Sequence, residues 1–363
     1  RCLLQSPQLL IMDEPTSVLT PQESNELFKT LRRLSEEGKS ILYISHKLQE
    51  IKELCHIATI MRGGKVVAKC VPKDESTRSM AEMMMGSDLK MPVRRNKKSF
   101  GPPKLIVEEV SAKSSYQYGI DLKNISLKVS AGEILGVAGI AGNGQKELLE
   151  VLSGEVRLKQ NWKIKIGEKS VGVSGPNKRR KKGMVFVPEE RLGHGAVPGM
   201  SLWENTLLSD IESTEFLKWG FVQTKNVVAY TRRIIEKFNV KTTGVRRTAS
   251  SLSGGNLQKF ILGRELLKKP SIIIALQPTW GVDAGSAVGI RQALIDLAAG
   301  GAGVLVISQD LEELFEISDT ISVINNGTIS NPFPISKITV EAIGLLMSGI
   351  GQTNSSIEGI AHY

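Results

Sequence analysis

Short apolar runs bounded by glycine or proline recur along the chain and predict buried strands. They are LLIM from Leu9, EILGVAG from Glu133, SIIIAL from Ser271 and GVLVIS from Gly303. Each run is aliphatic, often β-branched, and too short for a typical helix, as buried parallel strands are. Residues with helical spacing follow these runs. The alternation of strand, turn and helix predicts an α/β domain with a mainly parallel sheet.

The segment QKELLEVLSG shows how such a helix is read from the pattern. It places Leu148, Leu149, Val151 and Leu152 on one apolar face. Gly154 follows, where a helix C-terminus favours glycine. We therefore predict a helix that begins after the glycine turn at Gly139 and ends near Gly154.

The chain contains an internal repeat with a constant offset. RCLLQSPQLLIMDEPTSVLT from Arg1 aligns with RELLKKPSIIIALQPTWGVD from Arg264, so the offset is 264 minus 1, or 263 positions. The same offset pairs Pro15 with Pro278, Thr16 with Thr279, Ser45 with Ser308, Leu48 with Leu311, Glu50 with Glu313, Gly64 with Gly327, Met84 with Met347 and Gly86 with Gly349. Two copies of one unit are expected, the first lacking its beginning.

Ser87 to Lys104 separates the copies and has the composition of a linker, with three prolines and clustered charge. We predict that residues 1–86 are the C-terminal part of a first domain and 87–104 the linker. Residues 105–350 would form a complete second domain, and 351–363 a tail. The offset places the start of the first unit roughly 160 residues before Arg1.

Composition narrows the class of protein. The chain is 41% hydrophobic and 23% charged, which is typical of a globular protein, and no run approaches the roughly 20 apolar residues of a spanning helix. Cys2, Cys55 and Cys70 show no metal-binding spacing and favour a reducing compartment. The net charge of +10 is concentrated in RRNKK from Arg94 and NKRRKK from Asn177, which we interpret as solvated loops.

Two adjacent carboxylates end the strand LLIM. Asp13 is suited to hold Mg²⁺ through water, and Glu14 to orient or deprotonate the water that attacks a γ-phosphate. The end of a buried parallel strand is where α/β proteins place ligand groups. An acidic surface turn is the alternative.

His46 follows the next apolar run, ILYIS, where a helix begins. Its imidazole could donate a hydrogen bond to a γ-phosphate oxygen while contacting the general base. A structural histidine is the alternative, and the position of His46 relative to Asp13 and Glu14 favours the functional role.

In the second copy, LSGGN places a serine before two glycines and an asparagine at the start of an amphipathic helix. The residues are Leu252, Ser253, Gly254, Gly255 and Asn256. Ser253 can cap the helix, and the backbone N–H groups of its first turn would point at an anion. A common serine-glycine cap is the alternative.

These motifs together resemble the ATP-binding subunits of ATP-binding cassette (ABC) transporters. LSGGN is similar to their signature motif, LLIMDEPT to their Walker B, His46 to their switch histidine and WGVD from Trp280 to their D-loop. The resemblance implies an α/β, P-loop NTPase-like fold whose mainly parallel sheet is flanked by helices, with antiparallel β and helical subdomains. Two fused cassettes, the GNGQ loop and VPEERLGHGAVPGMSLWEN from Val187 are most similar to importers of simple sugars and nucleosides.

By this resemblance GIAGNGQKELL is the phosphate loop of the second cassette, with nucleotide-binding positions Gly139, Gly142, Asn143, Gly144, Gln145 and Lys146. Small glycines let backbone N–H groups close around phosphates. The loop lacks the usual lysine and hydroxyl, because Gln145 and Lys146 stand in their places. Lys146 could still add positive charge but cannot bind a metal ion.

The second cassette departs from the family at its other catalytic positions. Leu276, Gln277 and Gln309 stand where the first copy has Asp13, Glu14 and His46, and Glu189 stands where the family has the Q-loop glutamine. We expect this site to bind nucleotide weakly if at all and to hydrolyse none. Asp283 keeps the D-loop aspartate, whereas the first copy has Thr20.

The resemblance implies two cassettes paired head to tail, with ATP and Mg²⁺ as cofactors. The working site would combine an upstream phosphate loop with Asp13, Glu14 and His46 and receive Leu252 to Asn256 from the second cassette. The degenerate site would combine Gly139 to Lys146 with the first cassette's signature.

The implied partners are transmembrane permease subunits and, indirectly, an extracytoplasmic substrate-binding protein, with no nucleic acid. The chain would lie on the cytoplasmic face of the plasma membrane, and Glu189 to Leu208, with Trp203 and Leu207, would receive the coupling helix of the permease. The alternatives are a ribosome-binding twin-cassette translation factor, disfavoured by the short linker and the dead site, and a non-catalytic remnant.

Overall fold

A computed structural model describes residues 7–16, 19–45, 47–62, 64–85, 99–211, 213 and 215–349. Contacts among them divide the chain into two compact units. The first unit contains the described residues of 1–91 and 340–350, and the second contains those of 92–339. The predicted tail 351–363 and most of the predicted linker lie outside the described residues.

The first unit is a short α/β segment. Its elements are β1 (Leu9–Asp13), α1 (Pro21–Glu36), β2 (Ser40–Ile44), α2 (Leu48–Leu54), β3 (Ala58–Arg62), β4 (Lys65–Cys70) and α3 (Thr77–Met85). β1 and β2 pair in parallel, with Leu10 opposite Ile41, and β3 and β4 form an antiparallel hairpin. Phe28 and Leu31 are the buried residues of α1.

The second unit contains most of the structure. It comprises β5 (Pro103–Ala112), β6 (Leu122–Ser130), β7 (Ile134–Ala138), α4 (Gln145–Ser153), β8 (Ile164–Ile166), β9 (Lys169–Ser170), α5 (Pro176–Arg180), β10 (Met184–Val187), α6 (Leu202–Ser209), β11 (Leu217–Lys218), β12 (Phe221–Val222), α7 (Thr224–Lys237), α8 (Gly254–Leu266), β13 (Ile272–Leu276), α9 (Ala284–Ala299), β14 (Gly303–Ser308), α10 (Leu311–Ile317), β15 (Thr320–Asn325), β16 (Thr328–Ile329) and β17 (Phe333–Pro334). β5 therefore begins inside the predicted linker.

The main sheet of the second unit has seven strands in the order β10-β13-β14-β7-β15-β16, with β17 also on β15. The five strands from β10 to β15 are parallel, and β16 and β17 are antiparallel. β7 lies between β14 and β15, which follow it by more than 160 residues in the chain. Strand order thus reverses at β7, and loops at such a switch point are where α/β sheets bind ligands.

A second, antiparallel sheet has the order β6-β5-β8-β9. Its inward residues, such as Leu105 and Ile125, share one hydrophobic core with Leu148 of α4 and with Ile274 and Leu305 of the main sheet. α6, α7 and α8 pack against one another as a helical region. The predicted α/β cassette fold with antiparallel and helical subdomains is confirmed.

The last described helix, α11 (Val340–Met347), belongs to the first unit by its contacts. It packs on α1, where a Cβ at Gly344 would lie 2.9 Å from Gln22 Oε1. Gln22 Nε2 donates to the carbonyl of Glu341 at 3.5 Å. The domain boundaries proposed from the sequence stay a prediction.

The repeat offset also relates the bounds of the elements. Shifted by 263 positions, β1 coincides with β13, α1 with α9 and α2 with α10, while β2 and β3 fall within β14 and β15. Glu14 and Gln277, which directly follow the corresponding strands, share an unusual positive φ of 46° and 52°. The two segments therefore fold alike locally as well as sharing motifs.

One expectation about these strands is wrong. β1 and β2 form as predicted, but their apolar residues Leu9, Ile11, Leu42 and Ile44 are exposed. Their sheet has two strands in the described structure, whereas β13 and β14 lie inside a seven-stranded sheet.

No helix among the described residues is long and apolar enough to span a membrane.

Candidate functional site

The loop between β7 and α4 has the conformation of a glycine-rich turn. Gly142 and Gly144 have φ of 82° and 107°, which favours glycine, and Gly144 is the residue before the first turn of α4. A Cβ at Gly139 would lie 2.7 Å from Gln145 Nε2 and 2.8 Å from the carbonyl of Ile324. The predicted helix and its end at Gly154 are confirmed.

The side chain of Gln145 lies over the loop that precedes it. Its Nε2 donates to the carbonyl of Ile140 at 2.6 Å, and its Oε1 accepts from the backbone N–H of Asn143 at 3.0 Å. The residue is buried. A loop amide that would otherwise be available to a phosphate oxygen is thus bonded within the loop. With Gln145 in this conformation, the loop offers one backbone N–H fewer to a phosphate.

Asn143 ties the same loop to the main sheet. Its side-chain Oδ1 accepts from Asn326 N at 3.0 Å, and its carbonyl accepts from Gly327 N at 3.1 Å. Both partners lie in the turn between β15 and β16. The loop is therefore held from two sides, by Gln145 within and by this turn outside.

Lys146 points away from the loop. Its Nζ lies 4.0 Å from the centre of the Tyr116 ring, and the Tyr116 hydroxyl donates to Glu150 at 2.5 Å. Hydrogen bonding with Tyr116 raises the pKa of Lys146. Lys146 therefore keeps its positive charge, which lies over the Tyr116 ring and not over the glycine turn.

Glu189 is a partly buried carboxylate on which two cationic side chains act. Burial raises the pKa of its carboxyl, and the charges of Lys146 and Arg191 partly oppose that increase. An amide in this position would carry no charge, so Glu189 places a titratable group beside the second loop.

Arg191 was missed by the sequence reasoning. Its Nε donates to Gln258 Oε1 at 3.1 Å, and its guanidinium also donates to the carbonyl of Trp280. A Cβ at Gly254 would lie 2.6 Å from the same guanidinium. Arg191 therefore joins the loop after Glu189 to the start of α8 and to the WGVD segment. Only its place in the PEER motif signalled it.

The segment LSGGN occupies the beginning of α8, as predicted. Ser253 is the residue before the first turn, but its hydroxyl accepts from Asn256 Nδ2 at 2.9 Å and makes no cap bond to the backbone. Asn256 Oδ1 accepts from Lys241 N at 2.8 Å. Ser253 and Gly254 are exposed, whereas Leu252 and Gly255 are half-buried. The capping role proposed for Ser253 is corrected, because Asn256 takes its hydroxyl.

In the first unit Asp13 is the last residue of β1 and is exposed, and Glu14 follows it half-buried. The Glu14 amide donates to Ile44 at 2.9 Å, which holds the ends of β1 and β2 together. His46 lies outside the described residues. Among the described residues no group of three or more histidine, cysteine or acidic side chains could hold a metal.

The second copy has an apolar and amide version of this strand end. Leu276 is buried, and Gln277 Oε1 accepts from Ser308 Oγ at 3.2 Å and from Gln309 N at 3.5 Å. Gln277 N donates to Ile307 at 2.8 Å, the same bond that Glu14 makes. The second copy therefore has the same backbone hydrogen bond at the strand end as the first, but it has no carboxylate there.

In each copy one glutamate connects the ends of two neighbouring strands by hydrogen bonds, and we call this arrangement the glutamate clamp. It was not predicted from the sequence. Glu50 accepts from Thr16 Oγ1 at 2.6 Å, Tyr43 at 2.7 Å and Ser45 at 3.4 Å. Glu313 repeats it with Thr279 at 2.7 Å and Ser308 at 2.9 Å. Burial raises the pKa of Glu313 to about 7, with Asp310 adding to the shift. The pairing of Glu50 with Glu313 in the repeat was its sequence signal.

The D-loop difference has a structural explanation. Asp283 precedes α9 and accepts from Ser286 N at 3.0 Å and Ser286 Oγ at 2.7 Å. Burial opposes ionisation, but these hydrogen bonds outweigh it and lower the pKa of Asp283. Thr20 precedes α1 and forms a capping box with Glu23. Both residues cap equivalent helices, so threonine keeps the structural role of the aspartate.

Trp203 and Leu207 are one turn apart on α6 and are half-buried. Ser201 and Glu204 form a capping box at the start of this helix. The segment from Glu189 to Leu208 therefore contains partly exposed apolar side chains as well as the charged residues Glu189 and Arg191.

Comparison with known proteins agrees with this fold. The family model described as ABC transporter matches residues 122–279. The glucose import ATP-binding protein TsgD13 of Haloferax volcanii is 37% identical over 361 residues, covering 98% of this chain and 65% of that protein. The nucleoside import ATP-binding protein NupA of Lactococcus lactis is 37% identical over 352 residues, covering 96% and 69%. The chain thus spans about two thirds of the length of these relatives.

Solved ATP-binding cassettes share the fold. MJ1267 in its ADP conformation superposes with a TM-score of 0.52 at 23% identity, covering 70% of this chain and 97% of that one. A dimeric post-hydrolysis state of MJ0796, bound to ADP and Pi, gives 0.55 at 20% identity, covering 64% and 98%. The fold and motifs define a P-loop NTPase-like cassette, and the chain belongs to the ABC transporter family.

Proposed function

We propose that this chain is most of the ATP-binding and ATP-hydrolysing subunit of an ABC importer for simple sugars or nucleosides. The named relatives include glucose, nucleoside, guanosine and ribose import ATP-binding proteins. The importer type rests on these relatives together with the GNGQ and PEER motifs. The transported molecule would be selected by a permease and an extracytoplasmic binding protein, with this subunit on the cytoplasmic face of the membrane.

One observation supports the proposal of two fused cassettes with unequal sites. Two strand ends with the same backbone hold Asp13 and Glu14 in one copy and Leu276 and Gln277 in the other. The first pair can hold Mg²⁺ through water and orient an attacking water, and the second pair can do neither. The bond between Gln145 and its own loop adds to the deficiency of the second copy.

In the proposed working site each copy contributes a different part. Bound Mg²⁺ would neutralise charge on the β- and γ-phosphates. Glu14 would orient the attacking water, aided by His46. The first turn of α8 would donate backbone N–H groups to the γ-phosphate. The phosphate loop of this site would come from sequence upstream of Arg1.

The test is ATP hydrolysis by the protein extended upstream of Arg1. Glu14→Gln is expected to lower the rate at least about 100-fold, because the base that positions water is lost. Gln277→Glu is the matched control and should leave the rate unchanged. Equal rates for Glu14→Gln and the wild type would show that the first copy does not carry the chemistry.

Permease docking at α6 is tested separately. Co-purification with transmembrane subunits should be lost in Trp203→Asp combined with Leu207→Asp, because these half-buried side chains would meet the coupling helix. Leu208→Asp, at an exposed neighbouring position, is the control. Full co-purification of the double variant would mean that α6 does not receive the permease.

A further inference from the structure

The hairpin of β11 and β12 exposes large apolar side chains that the proposed function does not use. Trp219 is 89% exposed and Phe221 75% exposed, and Val222 beside them is also exposed. The hairpin connects α6 to α7. Scattered exposed apolar residues are ordinary, but two aromatic rings and a valine within four residues form a cluster.

The base of this hairpin is firmly packed. Phe216 is buried and contacts the Tyr230 ring edge-on, with ring centres 5.3 Å apart. Gln223 N donates to Phe216 at 2.8 Å, and Asn226 Nδ2 donates to Glu215 at 3.0 Å. The base therefore fixes the direction in which the aromatic tip projects.

The backbone conformation at the tip of the hairpin does not favour the tryptophan found there. Trp219 and Gly220 both have positive φ, 54° and 81°, as in a two-residue hairpin turn. Asparagine or glycine is favoured in the first of these positions, and a bulky side chain there is disfavoured. A backbone outlier of this kind points to a role for the side chain, here an exposed indole.

The exposed face of α7, which follows directly, is basic. Lys225, Arg232, Arg233 and Lys237 are exposed on it, with Glu236 as the acidic residue among them. Lys218 adds another exposed cation in the hairpin. The opposite face of α7 buries Val227, Thr231 and Ile234. The aromatic tip and the basic face follow each other directly in the chain, and we call them together the hairpin surface; exposed Glu215 is an acidic residue beside the tip.

We propose that the hairpin surface binds the anionic headgroup layer of a membrane, with Trp219 and Phe221 entering the interface. Indole rings prefer the boundary between headgroups and hydrocarbon, and lysine and arginine are attracted to anionic lipid. The charge of the surface favours anionic lipid as its occupant. This contact needs no permease, so it adds a direct lipid attachment to the proposed function and can fail without affecting it.

The test is co-flotation of the whole chain with two kinds of vesicle. One contains phosphatidylcholine alone, and the other also contains about 30% of the anionic lipid phosphatidylserine. The chain should float with the anionic vesicles. Trp219→Ser combined with Phe221→Ser should lower the partition coefficient at least about tenfold, since both interfacial rings are removed. Trp162→Ser removes another exposed tryptophan of the second unit and should change nothing.

A second measurement does not depend on the folding of the double variant. Brominated lipids should quench part of the tryptophan fluorescence of the wild type, and Trp219→Phe should remove that part while still floating. Absence of flotation, equal binding of the Ser double variant, or quenching unchanged in Trp219→Phe would overturn the proposal. Binding to polyglutamate without any quenching would assign the surface to an acidic protein instead.

Discussion

Strands β1 and β13 are equivalent by the repeat, yet one is exposed where the other is buried. Ile11 is 59% exposed, and Ile274, 263 positions later, is fully buried. Leu42 and Leu305 differ in the same way. The local backbone is the same in both copies, so burial depends on the elements that pack on the faces of the strands, such as α4 on β13 and α9 and β6 on β14, and not on the apolar pattern itself.

The catalytic residue types are found in the copy whose strands are exposed, and not in the copy whose strands are buried. The exposed copy keeps Asp13 and Glu14, and the fully packed copy has Leu276 and Gln277 at the same backbone positions. Both retain the glutamate clamp to a threonine and a serine. The clamp is therefore a structural feature of the unit, and the carboxylates at the strand end are separable from it.

The largest expected difference between the copies is in stability. Ile274→Ala should lower the free energy of unfolding of the second unit by about 2–5 kcal/mol, because it leaves a cavity in a closed core. Ile11→Ala, the matched change, should cost within about 0.5 kcal/mol. All four tryptophans lie in the second unit, so urea unfolding followed by fluorescence reports that unit, and circular dichroism reports both. Equal shifts would mean that Ile11 is buried as deeply as Ile274.

Nucleotide binding by the second loop should respond next most strongly. Gln145→Lys combined with Lys146→Thr restores the G-x-x-x-x-G-K-T pattern and removes the side chain that bonds to Asn143 and Ile140. We expect at least about tenfold tighter binding of MgATP, about 1.4 kcal/mol. Lys146→Thr alone is the control. If the wild type already binds as tightly as the double variant, Gln145 does not close the loop.

The helix caps should behave alike in both copies. Thr20→Ala and Asp283→Ala each remove a side chain that accepts from a backbone N–H in the first turn of the following helix. Each should cost about 1 kcal/mol in thermal or urea unfolding. A large loss for one and none for the other would show that the two turns are not equivalent.

The smallest expected effect is a pH dependence confined to the second unit. His194 Nε2 lies 2.9 Å from Glu155 Oε1. The hydrogen bond that His194 donates to Glu155 raises the pKa of His194 from 6.5. Burial opposes ionisation of Glu155, but His194 outweighs it and lowers the pKa of Glu155 from 4.5.

The raised pKa of His194 contributes stability that is present below its unfolded pKa and lost as pH rises through the folded value. The lowered pKa of Glu155 contributes stability that is present above its unfolded pKa and lost as pH falls through the folded value. The pair therefore stabilises most between about pH 4.5 and 6.5, by less than about 1 kcal/mol because it is partly exposed. The difference in stability between the wild type and His194→Gln should be largest in this window, because the pH dependence that Glu313 contributes is common to both proteins.

Much of the fold could be predicted, because hydrophobic periodicity and the positions of glycine and proline indicate where strands, helices and turns lie. The runs at Glu133, Ser271 and Gly303 became β7, β13 and β14, and Gly154 ended α4 as its position indicated. The burial of β1 and β2 could not be predicted, since an apolar run has the same sequence pattern whether or not other elements pack on its faces.

The candidate site was predictable in its residue types and not in its contacts. The motifs located Gly139 to Lys146 and Leu252 to Asn256 at the turns where the structure has them. The direction of Gln145 back over the loop, and of Arg191 towards Trp280, depends on tertiary packing. Such side-chain directions follow from neighbours distant in sequence, which no local pattern specifies.

The number of nucleotides bound per chain tests the central claim of unequal copies most directly. The measurement is equilibrium titration of MgATP into the Glu14→Gln form of the protein extended upstream of Arg1, in which hydrolysis should be blocked. The account predicts one tightly bound nucleotide per chain, rising to two when Gln145→Lys and Lys146→Thr are added. Two tightly bound nucleotides without those changes would contradict it.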